Sequence, residues 1–63
     1  MIKQGIEYYR NGATRAELIQ WLSANDRNGV YGDAESIQEF GQPATLDELR
    51  ECLQRALTDY LNL

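Results

Sequence analysis

The sequence predicts an all-α fold: a small bundle of three main helices plus one short helix, packed around a long amphipathic C-terminal helix. Three observations predict it. Thr14-Arg15-Ala16-Glu17 and Thr45-Leu46-Asp47-Glu48 are capping boxes, in which the threonine hydroxyl takes an orphan amide three residues on and the glutamate reaches back. Apolar side chains recur at intervals of three and four along much of the chain. Turn formers, Asn11-Gly12, Asn28-Gly29, Gly32 and Gly41, fall between those periodic stretches.

In chain order, residues 2–10 place Ile2, Ile6 and Tyr9 on one helical stripe, and Asn11-Gly12 supplies a C-terminal stop. Gly5 and the Ile-Glu-Tyr-Tyr stretch keep a strand open as the alternative there. Residues 15–25 put Leu18, Ile19, Trp21 and Leu22 within about 160° of arc at about 100° per residue. Asp26 to Gly32 is predicted as a loop, since Asp-Arg-Asn-Gly and Gly32 carry turn chemistry. Asp33 is predicted to cap a short helix through Phe40, with Ala34, Ile37 and Phe40 on one side and Gly41 at its end. Gln42-Pro43-Ala44 separates it from the last helix, Thr45 to Leu63. There Leu46, Leu49, Leu53, Ala56, Tyr60 and Leu63 follow the spacing of a coiled-coil seam. Cys52, Leu57 and Leu61 widen that stripe to about half the circumference, with Arg50 the charged residue intruding. Such a face is predicted to need a partner surface along its whole length. The start Ala-Thr-x-x-Glu-Leu-x-x-x-Leu occurs at Ala13 and again at Ala44, one helix-start solution used twice.

The 63 residues are read as one domain, 1–63. A chain of this size buries only about 60% of the surface its unfolded form exposes, so its stability is expected to be marginal. The usual supports for small domains are scarce. Cys52 is the sole cysteine, which excludes a disulfide within the chain. One cysteine without any histidine makes a poor zinc ligand set. No apolar run exceeds two residues, far short of the roughly 18 that a membrane span takes, and Met1 to Gly5 has no hydrophobic signal region. With its lone cysteine, the chain is expected to be soluble and cytoplasmic. The net charge of −4 is unevenly placed. Residues 1–15 carry Lys3, Arg10 and Arg15 against Glu7, whereas residues 16–63 carry three arginines against nine acids. Phosphate backbones call for clustered bases, so direct nucleic-acid binding is not expected.

Catalysis is predicted against. Acid–base and nucleophilic chemistry draw on histidine, tuned carboxylates, or a serine or cysteine beside a base. Ser23 and Ser36 have no basic neighbour in sequence, and Cys52 sits on the apolar side of its helix, where it is expected to pack. The carboxylates four apart, Glu35/Glu39 and Asp47/Glu51, are expected on solvated faces. Setting Gly29 at the glycine of a calcium loop puts Asp26, Asn28 and Glu35 at ligand positions, but the first ligand position falls on Ala24, which has no side-chain oxygen. These residues are therefore read as turn and cap formers, with no metal or cofactor. Thr14 to Leu22 has the general character of the first helix of a helix-turn-helix, yet Asp26 to Asp33 is about twice the usual turn. The would-be recognition helix also carries two acids and no base, which repels a nucleic-acid groove. A divergent regulator of that type stays the third reading.

Protein binding is the function class that remains: a small non-catalytic regulator or inhibitor of another protein. The expected interface is Tyr8, Tyr31, Leu49, Arg50, Leu53, Ala56, Leu57 and Tyr60, with a homodimer formed through Leu49, Leu53, Ala56 and Tyr60. Tyr8, off its helix stripe, and Tyr31, in the loop, are expected to be exposed. Trp21 and Phe40 are expected in the core, and Tyr60 in the core or at a dimer contact. The second reading makes Asp33, Glu35, Glu39, Asp47, Glu48 and Glu51 an acidic surface that mimics nucleic acid and occupies a basic site on a partner. In size, acidity and scarcity of reactive groups, the chain has the style of accessory proteins of phages and mobile elements.

Overall fold

The computed structural model describes residues 2–26 and 29–61. They form four helices, α1 (Ile2–Asn11), α2 (Arg15–Asn25), α3 (Asp33–Phe40) and α4 (Leu46–Leu61), with no strand among the described residues. The fold is thus the predicted all-helical bundle, and the strand alternative for residues 2–10 falls away. Asn62 and Leu63, assigned to the last helix from the sequence, lie outside the described residues, as does Asn28 of the loop.

Both capping boxes form. The Thr14 amide donates to Glu17 Oε1 at 2.9 Å while the Glu17 amide donates to Thr14 Oγ1 at 3.1 Å. Thr45 and Glu48 repeat this reciprocal pair at 2.9 and 3.1 Å. Gly12 and Gly41 follow α1 and α3 at φ values of 88° and 85°, the left-handed conformation in which glycine carries no Cβ penalty. One cap differs from expectation. Gly32 holds the N-cap position of α3 and Asp33 is its first helical residue, because the Asp33 carboxylate is taken by Arg15. A guanidinium fork offers a carboxylate two charge-assisted donors where a cap offers one neutral amide.

α4 packs against both α1 and α2. Leu49, Leu53 and Leu57 of α4 meet Leu18, Trp21 and Leu22 of α2, and Ile2 and Ile6 of α1 pack on the same cluster. Trp21 is in the core, as expected, at 7% exposure. The two aromatics that follow exchange their expected places. Tyr31 is buried at 7% exposure, whereas Phe40 is 67% exposed. The physical reason is that Tyr31, arriving from the loop, joins the apolar cluster, and α3 then turns Ser36 rather than Phe40 inward.

The apolar face of α4 is therefore covered only in part. Leu49 to Leu57 is buried by the chain's own helices, while Tyr60 and Leu61 at the C-terminal turn are exposed. Arg50 lies in solvent beside the buried stripe. No described helix is long and apolar enough to cross a membrane.

α3 is tied to the bundle by a polar device that the sequence conceals. Arg15 Nη2 donates to Asp33 Oδ1 at 2.6 Å and to the Ala44 carbonyl at 2.7 Å, and Nε donates to the same carbonyl at 3.0 Å. One side chain thereby holds the start of α2, the start of α3 and the 42–45 link. The hydrogen bond and charge of Arg15 hold the Asp33 carboxyl below the usual carboxylate range. Arg15→Met, which keeps the stem and removes the fork, is expected to speed hydrogen exchange in α3 while leaving Leu49 to Leu57 protected. Equal acceleration in both regions would reject the clamp.

Candidate protein-interaction site

The feature with the most unspent chemistry is a groove of about 400 Å³ between the 29–31 loop, α3 and α4. Val30, Tyr31, Phe40, Pro43, Leu49 and Cys52 give it an apolar lining, and Asp26, Glu48 and Arg55 supply charge. Each wall has a local cause. Tyr31 is pinned by its hydroxyl, which donates to Asp26 Oδ2 at 2.5 Å. Gly29 admits the ring, since a Cβ there would overlap it. Gly41 ends α3 one residue after Phe40 and turns the chain toward Pro43.

Ser36 is the anomaly on this wall. The residue is 1% exposed, and its Oγ is buried without a hydrogen-bond partner. A buried hydroxyl left unpaired costs about 1–3 kcal/mol, and alanine is the better helix former. Ser36→Ala is accordingly expected to raise stability by about 1 kcal/mol, read from denaturant midpoints at unchanged slope. A loss of stability would mean that the hydroxyl has a structural partner.

Tyr31 and Cys52 give the groove an alkaline signature. Burial first, and then the hydrogen bond to Asp26, push the Tyr31 hydroxyl well above the ordinary tyrosine range. Burial likewise raises the Cys52 thiol. In both cases the folded state favours the protonated group. Their contribution is full below the unfolded pKa values, about 8.5 for a thiol and about 10 for a phenol, and is lost as pH climbs past them. The melting temperature is expected to fall from about pH 9 upward, and Tyr31→Phe is expected to flatten the upper part of that fall. An identical alkaline slope in Tyr31→Phe would refute the assignment.

Among the residues expected at an interface, Leu49, Leu53 and Leu57 lie in the intramolecular core and Ala56 and Tyr8 pack partly against it. Arg50 and Tyr60 are exposed, and Tyr31 is the buried wall of the groove. Asp33, Glu35, Glu39, Asp47, Glu48 and Glu51 are all exposed, Asp33 paired with Arg15 and Glu48 engaged in its cap. Glu48 is held below the usual carboxylate range by the Thr45 amide and hydroxyl. Among the described residues no group of three or more histidine, cysteine or acidic side chains is placed to hold a metal ion.

A second, smaller groove of about 320 Å³ runs between α1 and the end of α4, lined by Ile6, Tyr9, Arg10, Leu57 and Leu61 among others. Sequence reasoning missed Ile37, Phe40, Ser36 and Tyr9 as surface or groove residues. For Ile37 and Phe40 a signal existed, because an eight-residue helix flanked by glycines has few neighbours to cover a three-residue apolar stripe. Set against known proteins, the chain matches no family model, no curated protein and no solved structure.

Proposed function

We propose that this chain is a non-catalytic protein-interaction module, a small regulator or inhibitor that acts by covering part of another protein. The observation that carries the proposal is the α3 surface. Ile37 is 51% and Phe40 67% exposed, three residues apart and hence neighbours on one helix face. A domain of this size has few large apolar side chains to spend, and two of them face water beside a groove. Aromatic residues on such surfaces are frequent anchors of binding energy.

Affinity capture from the source cells with the natural chain and with Ile37→Ser/Phe40→Ser tests this. Both substitutions lie outside the core, so circular dichroism is expected to show the variant folded. A protein retained by the natural chain and lost with the variant supports the proposal. An identical set of retained proteins would reject the α3 face.

The second reading, mimicry of nucleic acid by an acidic surface, is favoured by the exposure of all six named carboxylates. Salt separates the two, because binding through charge weakens steeply with ionic strength and apolar docking does not. Self-association through α4 belongs to the proposal only at its C-terminal turn, where Tyr60 and Leu61 are exposed beside the Tyr9 groove. A mass of 7.2 kDa that persists at high micromolar concentration in light scattering would remove the dimer.

A further inference from the structure

The geometry points to the α3–α4 groove as a socket for one anchor side chain of a partner protein, a tyrosine carried on a basic segment, with Ser36 Oγ receiving its hydroxyl. This rests on the reading of the chain as a protein-binding module and names what its site would take. Three observations converge on it.

The first is size and lining. At about 400 Å³ the groove has ample room for an aromatic side chain and its flanking backbone, and its lining is largely apolar. The second is Ser36. The residue lines the groove, and its hydroxyl is closed to water and has no partner, so a ligand hydroxyl that reached it would satisfy a group the free protein leaves unpaired. Phe40 lines the same groove and is already mostly in solvent, so turning its ring aside to admit a ligand uncovers little. A phenol matches this floor, having an apolar body and a tip that both donates and accepts.

The third observation is charge. Asp26 and Glu48 line the groove, whereas Arg55 is the one base among the described lining residues. Asp26 accepts from the Tyr31 hydroxyl, and Glu48 is engaged in its cap, which holds its carboxyl below the usual carboxylate range. Residues flanking the anchor therefore meet a predominantly acidic rim, and lysine or arginine would complement it.

Three capped tripeptides test the inference on the full chain by amide chemical-shift titration: Ac-Lys-Tyr-Lys-NH2, Ac-Lys-Phe-Lys-NH2 and Ac-Glu-Tyr-Glu-NH2. The first is expected to bind with a dissociation constant of about 1 mM, shifting the amides of Ser36, Phe40 and Cys52. Loss of one neutral hydrogen bond is expected to weaken the phenylalanine probe about three- to tenfold. In Ser36→Ala that difference is expected to vanish, and the variant's retained spectrum shows that folding is not the cause. The glutamate probe is expected to bind more weakly at low salt and to converge on the lysine probe as salt rises. No shift at the three groove amides, or a tyrosine preference that survives Ser36→Ala, would overturn the socket. Loss of the socket leaves the capture result on the α3 face standing, so the two readings fail separately.

Discussion

Leu53→Ala is expected to lower the free energy of unfolding by about 2–5 kcal/mol, the range for truncating a buried leucine whose surroundings cannot collapse. Leu53 is 1% exposed at the middle of α4, between Leu49 and Leu57 and against α2. A domain of this length typically has roughly 3–9 kcal/mol in total, so the variant is expected to be partly unfolded at room temperature. Leu53→Asp, which buries a charge with no partner, is expected to abolish folding. The measurement is urea unfolding followed by circular dichroism, repeated over about a hundredfold range of protein concentration. If the leucine works within one chain, the midpoint does not move with concentration, whereas a dimer held together through Leu53 gains stability by mass action. A loss under about 1 kcal/mol would exclude Leu53 from the core, and a midpoint that rises with concentration would show that folding is coupled to self-association.

The helices were legible because their signals are local. A capping box spans four residues, and a positive-φ glycine closes a helix from within its own last turn, so Thr14, Thr45, Gly12 and Gly41 could be read without knowing what they pack against. What could not be read was the allocation of apolar residues between core and surface. Periodicity shows that Leu53 and Phe40 each lie on an apolar stripe; it does not show which stripes obtain a neighbour. Tyr31 took the place assigned to Phe40 because a residue in a glycine-flanked loop can reach the core from outside any helix. Its tie to Asp26 depends on a loop geometry that spacing does not encode.

The candidate site suffered from the same cause. In sequence Arg15 is only one of the three bases of residues 1–15, and its reach to Asp33 and Ala44 spans separations of 18 and 29 residues. In sequence Ser36 is only a serine without a basic neighbour. Its interest comes wholly from burial without a partner, which is a tertiary property. The wide apolar face of α4 led the sequence reading to a dimer seam, whereas α1 and α2 together cover most of that face within one chain.

Gly5→Ala inverts the usual expectation for a glycine inside a helix. Replacing an exposed mid-helix glycine by alanine stabilises by about 1 kcal/mol, since alanine loses less chain entropy on folding. At Gly5 the sign is expected to reverse. The residue is buried in α1, and a Cβ built on it would stand 2.5 and 2.9 Å from two carbons of the Trp21 ring and 3.1 Å from a Leu57 methyl. Real carbons do not approach so closely, so α1 or the indole must move. Trp21 is buried in α2 and cannot swing into solvent without opening the cluster around Leu18 and Leu22. Overpacking of this kind costs about 1–3 kcal/mol, more than the propensity gain, and the net effect is expected to be a lower denaturation midpoint with a shift in Trp21 fluorescence. Trp21→Phe, which shrinks the ring, is expected to recover part of the loss in the double variant, since the two positions share one contact. A stabilised Gly5→Ala would show that α1 does not cross the bundle at the Trp21 ring. Glycine at this position is therefore a packing residue whose absent side chain lets α1 lie against α2 and α4, and the strand reading of residues 2–10 drew on the same glycine for the opposite reason.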